Sequence, residues 1–190
     1  MIDYYKIRFR LLLPLLFFIN LCCVDGIDYE QTEPITITPT LEVSLVYTSL
    51  VASDFLDDLD AEVPFLTDSV VLEAISDDFI NDYLVRADFN IEITNTLNKD
   101  FEIQLDLIDS TTSLQYSSSF YIENSPSNTP ITIEQFEIFS GPNLEALKAS
   151  NKLDLKISPI SSPTASVLTN ASLGSIVFKS TVVLYFEISE

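Results

Sequence analysis

From Leu41 onward the chain is organised by alternation. Val85, Ala87, Phe89, Ile91 and Ile93 interleave with Arg86, Asp88, Asn90, Glu92 and Thr94. That is the period of two that sends one strand face into a core and the other into water. Asn98-Lys99-Asp100 follows as a polar turn, and Phe101, Ile103, Leu105 and Leu107 then alternate with Glu102, Gln104 and Asp106, so the two segments predict a β-hairpin. The same alternation runs through Leu41–Tyr47, Leu114–Ile122 and Leu153–Ile157. Ile131 and Ile133 open a further strand, but its apolar phase jumps to Phe136 and Ile138, which predicts a β-bulge near Glu134 and Gln135. The last segment, Ile176–Ile188, becomes apolar on both faces and therefore reads as a central strand.

Two short stretches depart from this period. Ser76-Asp77-Asp78 can cap one helical turn carrying Phe79 and Tyr83, and Gly141-Pro142 can open about two turns over Asn143–Ser150. Ser125–Pro130 is rich in turn residues, and Ser161–Ser172 is a loop of Ser, Thr and Pro. About eight strands with no βαβ alternation predict an all-β fold, an antiparallel β-sandwich Ig-like in general architecture with one or two short helical turns. A closed barrel is the alternative.

The first thirty residues follow another rule. Lys6, Arg8 and Arg10 precede Leu11–Ile19, an apolar run interrupted by Pro14, and the run ends at Cys22-Cys23. It is several residues short of the roughly 20 needed to span a membrane, so it reads as an export signal rather than an anchor helix. The arrangement resembles the signal of a bacterial lipoprotein, in which the cysteine after the apolar run is acylated and becomes the first mature residue. The resemblance covers about thirty residues and implies lipidation at Cys23, with Cys22 as the alternative, and stable membrane attachment. Asp25, Asp28 and Glu30 are similar to the acidic stretch of lipoproteins exported to the outer face of a Gram-negative cell. The expected organisation is a signal peptide over 1–22, an acidic tether over 23–34 and one sandwich domain over 35–190.

Charge and composition then narrow the function. The net charge is −20, and loss of residues 1–22 leaves six bases against 28 acids, a net of −22. Such a surface repels phosphate backbones, so nucleic acid is excluded as a partner. Histidine and tryptophan are absent, and Cys22 and Cys23 are the only cysteines. That removes His-based triads, His-ligated zinc and redox dithiols; carboxylate chemistry such as a glycosidase pair remains, but among 28 acids no pair stands out, so no catalytic residue is named. Residues 25–82 hold fifteen acids and no Lys or Arg. Within them Asp57, Asp58, Asp60 and Glu62 are the candidates for Ca²⁺, but they lack EF-hand spacing and a glycine, so a solvated loop is expected, with no metal and no cofactor. Tyr116 and Phe120 share the phase of Leu114 and Ile122 and read as core, whereas Tyr121 lies between Ser119 and Glu123 and is the candidate exposed ring for a glycan. Asn170-Ala171-Ser172 matches a glycosylation acceptor, a pattern common by chance in such loops. The expectation is a non-catalytic binding or structural module of an envelope, held to the membrane by lipid and meeting another envelope protein or a glycan. A carbohydrate-binding surface lipoprotein is the alternative.

Overall fold

A computed structural model of the chain describes residues 36–189 apart from 73, 74 and 76. The expected signal peptide and tether, with Cys22 and Cys23, lie outside the described residues. In chain order the strands and helices are β1 (Thr36–Ile37), β2 (Thr40–Val51), β3 (Leu66–Val71), α1 (Asp78–Tyr83), β4 (Leu84–Asn95), β5 (Asp100–Ile108), β6 (Leu114–Ile122), β7 (Ile131–Phe139), α2 (Pro142–Lys148), β8 (Lys152–Ile160), β9 (Ser175–Phe186) and β10 (Ile188–Ser189). A 3₁₀ turn, Ala52–Phe55, follows β2.

Eight strands form two antiparallel four-stranded sheets, ordered β2-β9-β4-β7 and β3-β8-β5-β6, and β1 pairs with β10. The expected sandwich is therefore present. Its likeness to an immunoglobulin domain ends at the two-layer architecture, because this strand order is that of a jelly roll, in which the chain changes sheet at almost every connection. Between β2 and β9, only the link from β5 to β6 stays within one sheet.

The core is the set of inward positions that alternation marked. Ala87, Phe89, Ile91 and Ile93 of β4 are buried, as are Phe101, Ile103, Leu105 and Leu107 of β5. They are covered laterally by Phe178, Val182 and Leu184 of β9 and by Leu153, Leu155 and Ile157 of β8. The expected central position of the last strand is observed, since β9 lies between β2 and β4. The first helical cap also forms as expected: the Asp77 carboxylate accepts from the Phe79 amide at 2.9 Å, and the Phe79 and Tyr83 rings stack with centroids 5.0 Å apart.

Two expectations are corrected, and one strand is added. Strands β4 and β5 exist but do not pair as a hairpin, because β5 pairs with β6 and β8 in the other sheet. Residues 96–99 are thus a corner between sheets. The bulge near Glu134 and Gln135 is absent, and the β4–β7 register runs unbroken from Ala87–Phe139 to Asn95–Ile131. Phe136 and Ile138 consequently face outward, with Gln135 and Glu137 on the inward face. Finally, β3 is a strand the alternation did not reveal, because Asp68 stands on its inward face between Leu66 and Val70.

The corner needs Gly174. Its φ is +111°, and a Cβ there would overlap the Thr96 carbonyl. Gly174→Ala should lower stability by more than about 1 kcal/mol, whereas Phe89→Ala, which empties a buried site packed on Phe139, should cost about 3 to 5 kcal/mol. Urea unfolding checks both, and a loss below about 1 kcal/mol for Phe89→Ala would contradict the assigned face.

Candidate functional site

Three places bring chemistry-bearing side chains together: the corner end of the sandwich, the flank between β6 and β7, and the flank between β2 and β3. At the corner, the segments 52–65, 96–99, 123–130 and 161–174 meet around buried polar groups. Lys99, only 2% exposed, donates from Nζ to both Glu62 carboxylate oxygens at 2.7 and 2.9 Å, and the Leu168 amide also donates to Glu62. Asn95 donates to the carbonyls of Lys99 and Glu123 and accepts from the Leu97 amide. Asn124 donates to Asn98 and to the Thr164 carbonyl, while its own amide donates to Asp100 at 2.7 Å. Every one of these bonds satisfies a group that burial would otherwise leave unpaired. The corner is thus a fastening, already saturated by the protein itself.

That fastening also accounts for the acidic loop. Asp57 accepts from the amides of Leu59 and Ala61, closing its own turn, and Asp60 adopts the left-handed conformation at φ +60° that a glycine would otherwise supply. Asp60 accepts from Asn170, Glu62 is committed to Lys99, and Asp58 is exposed. The four carboxylates are therefore dispersed among different partners. Among the described residues no group of three or more His, Cys, Asp or Glu side chains is placed to hold a metal ion. Asn170 of the glycosylation tripeptide is exposed and hydrogen-bonded to Asp60.

The β6/β7 flank is closed. Tyr116 and Ser118 on β6 donate to the inward Glu137 carboxylate of β7 at 2.8 and 2.7 Å, two bonds that cross between the sheets. Burial first, and the bond to Glu137 second, push the Tyr116 phenol up to about 12. Tyr116 also packs edge-on to Phe139 at 4.9 Å, and Phe120 is buried, so both rings belong to the core as their phase indicated.

Tyr121 is 53% exposed on the outer face of β6, as expected for a free ring. Its phenol is raised, by desolvation first and by Asp100 second. The other exposed rings lie elsewhere: Tyr47 on β2 and Phe136 on β7 occupy opposite edges of the other sheet, Phe65 precedes β3 at the far edge of the sheet that holds Tyr121, and Phe79 stands on α1. Tyr47, Tyr121 and Phe136, the most exposed, do not make one stacking strip.

The β2/β3 flank is open. A cleft of about 320 Å³ runs into the sandwich between Thr48 and Leu50 of β2, Asp54 of the 3₁₀ turn, Leu66, Thr67 and Asp68 of β3, and Leu155 and Ile157 of β8. Four aliphatic side chains make its floor, and two carboxylates and two hydroxyls make its rim. The Asp54 carboxylate accepts from the Val51 amide at 2.8 Å, and Asp68 accepts from the Ser69 amide at 2.8 Å. No Lys or Arg is among the lining residues. The inward row of β2 continues past the cleft through Val43 and Leu41, which remain 37% and 49% exposed although they stand beside the buried Val182 and Leu184. Alternation alone did not show this cleft. Its signals were the inward Asp68 that interrupts β3 and the long stretch without a positive charge.

No protein-family model matches the chain, and no curated protein matches it. Among solved structures, a Parabacteroides distasonis protein described as secreted superposes with a TM-score of 0.46 at 13% identity, over 63% of this chain and 37% of that one. The particle structure of infectious bursal disease virus, Gx strain, gives a TM-score of 0.39 at 12% identity over 86% of this chain and 42% of that chain. The active domain of bacteriophage CBA120 tailspike protein 4 gives 0.36 at 11% identity, over 80% and 19%. This chain spans about two fifths of the first two proteins' length. At these TM-scores the likenesses bear on neither function nor assembly.

Two outcomes test this account. Glu62→Leu alone should cost about 3 to 5 kcal/mol by leaving the buried Lys99 ammonium unpaired, and Lys99→Met alone should cost less, because Glu62 is part-exposed and keeps the Leu168 amide. Combining Lys99→Met with Glu62→Leu should recover part of that loss but not all, because the Leu168 amide loses its acceptor. Strict additivity of the single losses would contradict the pairing. For Tyr116, whose pKa is raised on folding, the stabilising contribution is present below pH about 10 and is lost as pH rises through about 12. Urea melts of Tyr116→Phe should therefore fall less steeply with pH over that window than those of the wild type, the remaining slope including Tyr121.

Proposed function

We propose that this chain is a non-catalytic, lipid-anchored module of a bacterial envelope, displayed on the outer membrane or cell surface, which binds a partner in the cleft between β2 and β3. The observation that carries this reading is the open flank. A two-sheet sandwich normally closes both flanks by side-chain packing, and here the β6/β7 flank is closed by three hydrogen-bonding side chains while the opposite one leaves an apolar floor in contact with solvent. The absence of His and of any cysteine beyond residue 23, together with carboxylates that are dispersed rather than convergent, favours binding over catalysis. The separation of Tyr47, Tyr121 and Phe136 favours an apolar ligand over a stacked sugar.

Anchoring rests on the short apolar run ending at Cys22-Cys23. A diacylated or triacylated cysteine contributes about 0.8 kcal/mol per buried methylene, enough for stable rather than transient attachment. Among the described residues no helix is long and apolar enough to cross a membrane.

Cys22→Ala with Cys23→Ala should release the protein from membranes and abolish labelling by a palmitate analogue; continued pelleting with unchanged labelling would overturn the anchor. The cleft is tested in intact membranes with a photo-crosslinking side chain placed at Thr48 in one variant and at Ser119, on the exposed outer face of β6, in another. Adducts at position 48 and not at 119 are expected. Equal adducts at both positions, or none, would overturn the binding reading.

A further inference from the structure

The cleft lies beside two strand edges, and they differ. Among the described residues β2 and β3 are both terminal strands of their sheets, so each presents backbone groups with no neighbouring strand. In β2 a register shift between Ser44 and Val46 breaks the edge. In β3 the pairing with β8 runs unbroken from Leu66 to Val71, and the sequence Leu66-Thr67-Asp68-Ser69-Val70-Val71 contains no Pro and no Lys to blunt it. One blunting device is present: Asp68 points to the inward face, between Leu66 and Val70, at the rim of the cleft. An inward carboxylate excludes a neutral or acidic strand, because that strand would bury the charge without a partner. A strand bearing a Lys or Arg opposite Asp68 meets no such penalty.

We propose that β3 is a docking edge, extended by a strand from a partner protein. The added strand is about six residues long and carries a basic residue flanked on the same face by aliphatic ones. Its backbone continues the sheet beyond β3, its aliphatic side chains cover the cleft floor of Leu50, Leu66, Leu155 and Ile157, and its basic residue pairs with Asp68. Laid against β3, it also covers the inward row of β2, explaining why Val43 and Leu41 are left exposed beside buried neighbours. Charge selects this occupant over two others. The chain's own tether brings Asp25, Asp28, Glu30 and Glu33 and no base, and a second mature copy brings six bases against 28 acids, a net charge of −22, to a rim that is itself acidic. This inference rests on the binding reading above and adds the class of partner.

The test uses the full chain in zwitterionic phosphatidylcholine nanodiscs, with empty nanodiscs as the blank, and the capped peptide Lys-Thr-Val-Thr-Lys-Thr-Val-Thr-Lys. One strand face of this palindrome reads Lys, Val, Lys, Val, Lys, so either strand direction places a Lys opposite Asp68 with a Val on each side. Isothermal titration should show saturable binding. Asp68→Lys should weaken it about tenfold or more, and raising salt from about 50 mM to about 500 mM should weaken it for the wild type. Two changes in the peptide alone, Val to Ser and N-methylation of alternate backbone amides, should each abolish binding without touching the protein's fold. Absence of binding, indifference to N-methylation, or indifference to Asp68→Lys in a variant that melts like the wild type would overturn the proposal. So would binding that appears only after deletion of residues 24–34, which would make the tether the occupant, or a dimer dispersed by Asp68→Lys, which would make it a second copy. Adducts at position 48 with no peptide binding would leave the cleft as a binding site and reject strand addition alone.

Discussion

The pairing of buried Lys99 with part-buried Glu62 is the constraint on which the sandwich turns. The chain passes between sheets at nearly every connection, so its strands cannot be held by local hairpins and must instead be joined at their ends. Glu62 belongs to the connection that follows β2, Lys99 to the corner between β4 and β5, and Leu168, which also donates to Glu62, to the loop before β9. One carboxylate therefore links three connections that are far apart in sequence. Around it Asn95, Asn124 and Ser125 satisfy backbone carbonyls that the corner would otherwise bury unpaired, and Asn98 donates to the Ser166 hydroxyl. With no cysteine in the described domain, this network does the stapling that a disulfide does in many extracytoplasmic domains.

Such a network leaves the two flanks free to differ. Both are bordered by terminal strands, and both carry a carboxylate on the inward face, Glu137 on β7 and Asp68 on β3. Glu137 is met across the gap by Tyr116 and Ser118, so its flank is sealed and its charge satisfied. Asp68 accepts from its own neighbour's amide and lines an open cleft. The same departure from alternation therefore has opposite outcomes, decided by what the facing strand offers. Inward polar residues on a strand are costly unless partnered, and they persist where the partner is supplied by the fold or from outside.

The acidic composition acquires a specific place in this picture. Much of the charge is solvated, and part is structural: Asp57 closes a turn, Asp77 caps a helix, and Glu62 pairs with Lys99. The stretch without Lys or Arg includes β2 and β3, and no Lys or Arg lines the cleft, the nearest base by register being Lys156 of β8 opposite Thr67. A surface field of this kind favours cationic partners through encounter rate and selectivity more than through affinity, while the apolar floor supplies the area to be buried.

Sequence alone determined what depends on local period and composition. Alternation located seven of the eight sheet strands and assigned inward faces such as Phe89 and Ile91, because side chains on a strand alternate whatever the strand pairs with. Asp77 announced its helix, since capping is settled within three residues. Composition removed histidine and cysteine chemistry outright. Tertiary structure decided the rest. Whether β4 and β5 paired or crossed between sheets was not legible at Asn98-Lys99-Asp100, because a polar turn and a buried polar corner use the same residue types and differ only in partners supplied by Glu62, Asn124 and Ser166. The phase jump at Phe136 looked like a bulge, yet the fold kept the register and faced Glu137 inward, an arrangement permitted only because Tyr116 and Ser118 stood opposite. Strand β3 and the cleft were hidden for the same reason: the meaning of an inward Asp68 depends on a flank formed by residues from four separate segments, and no spacing along the chain records that meeting.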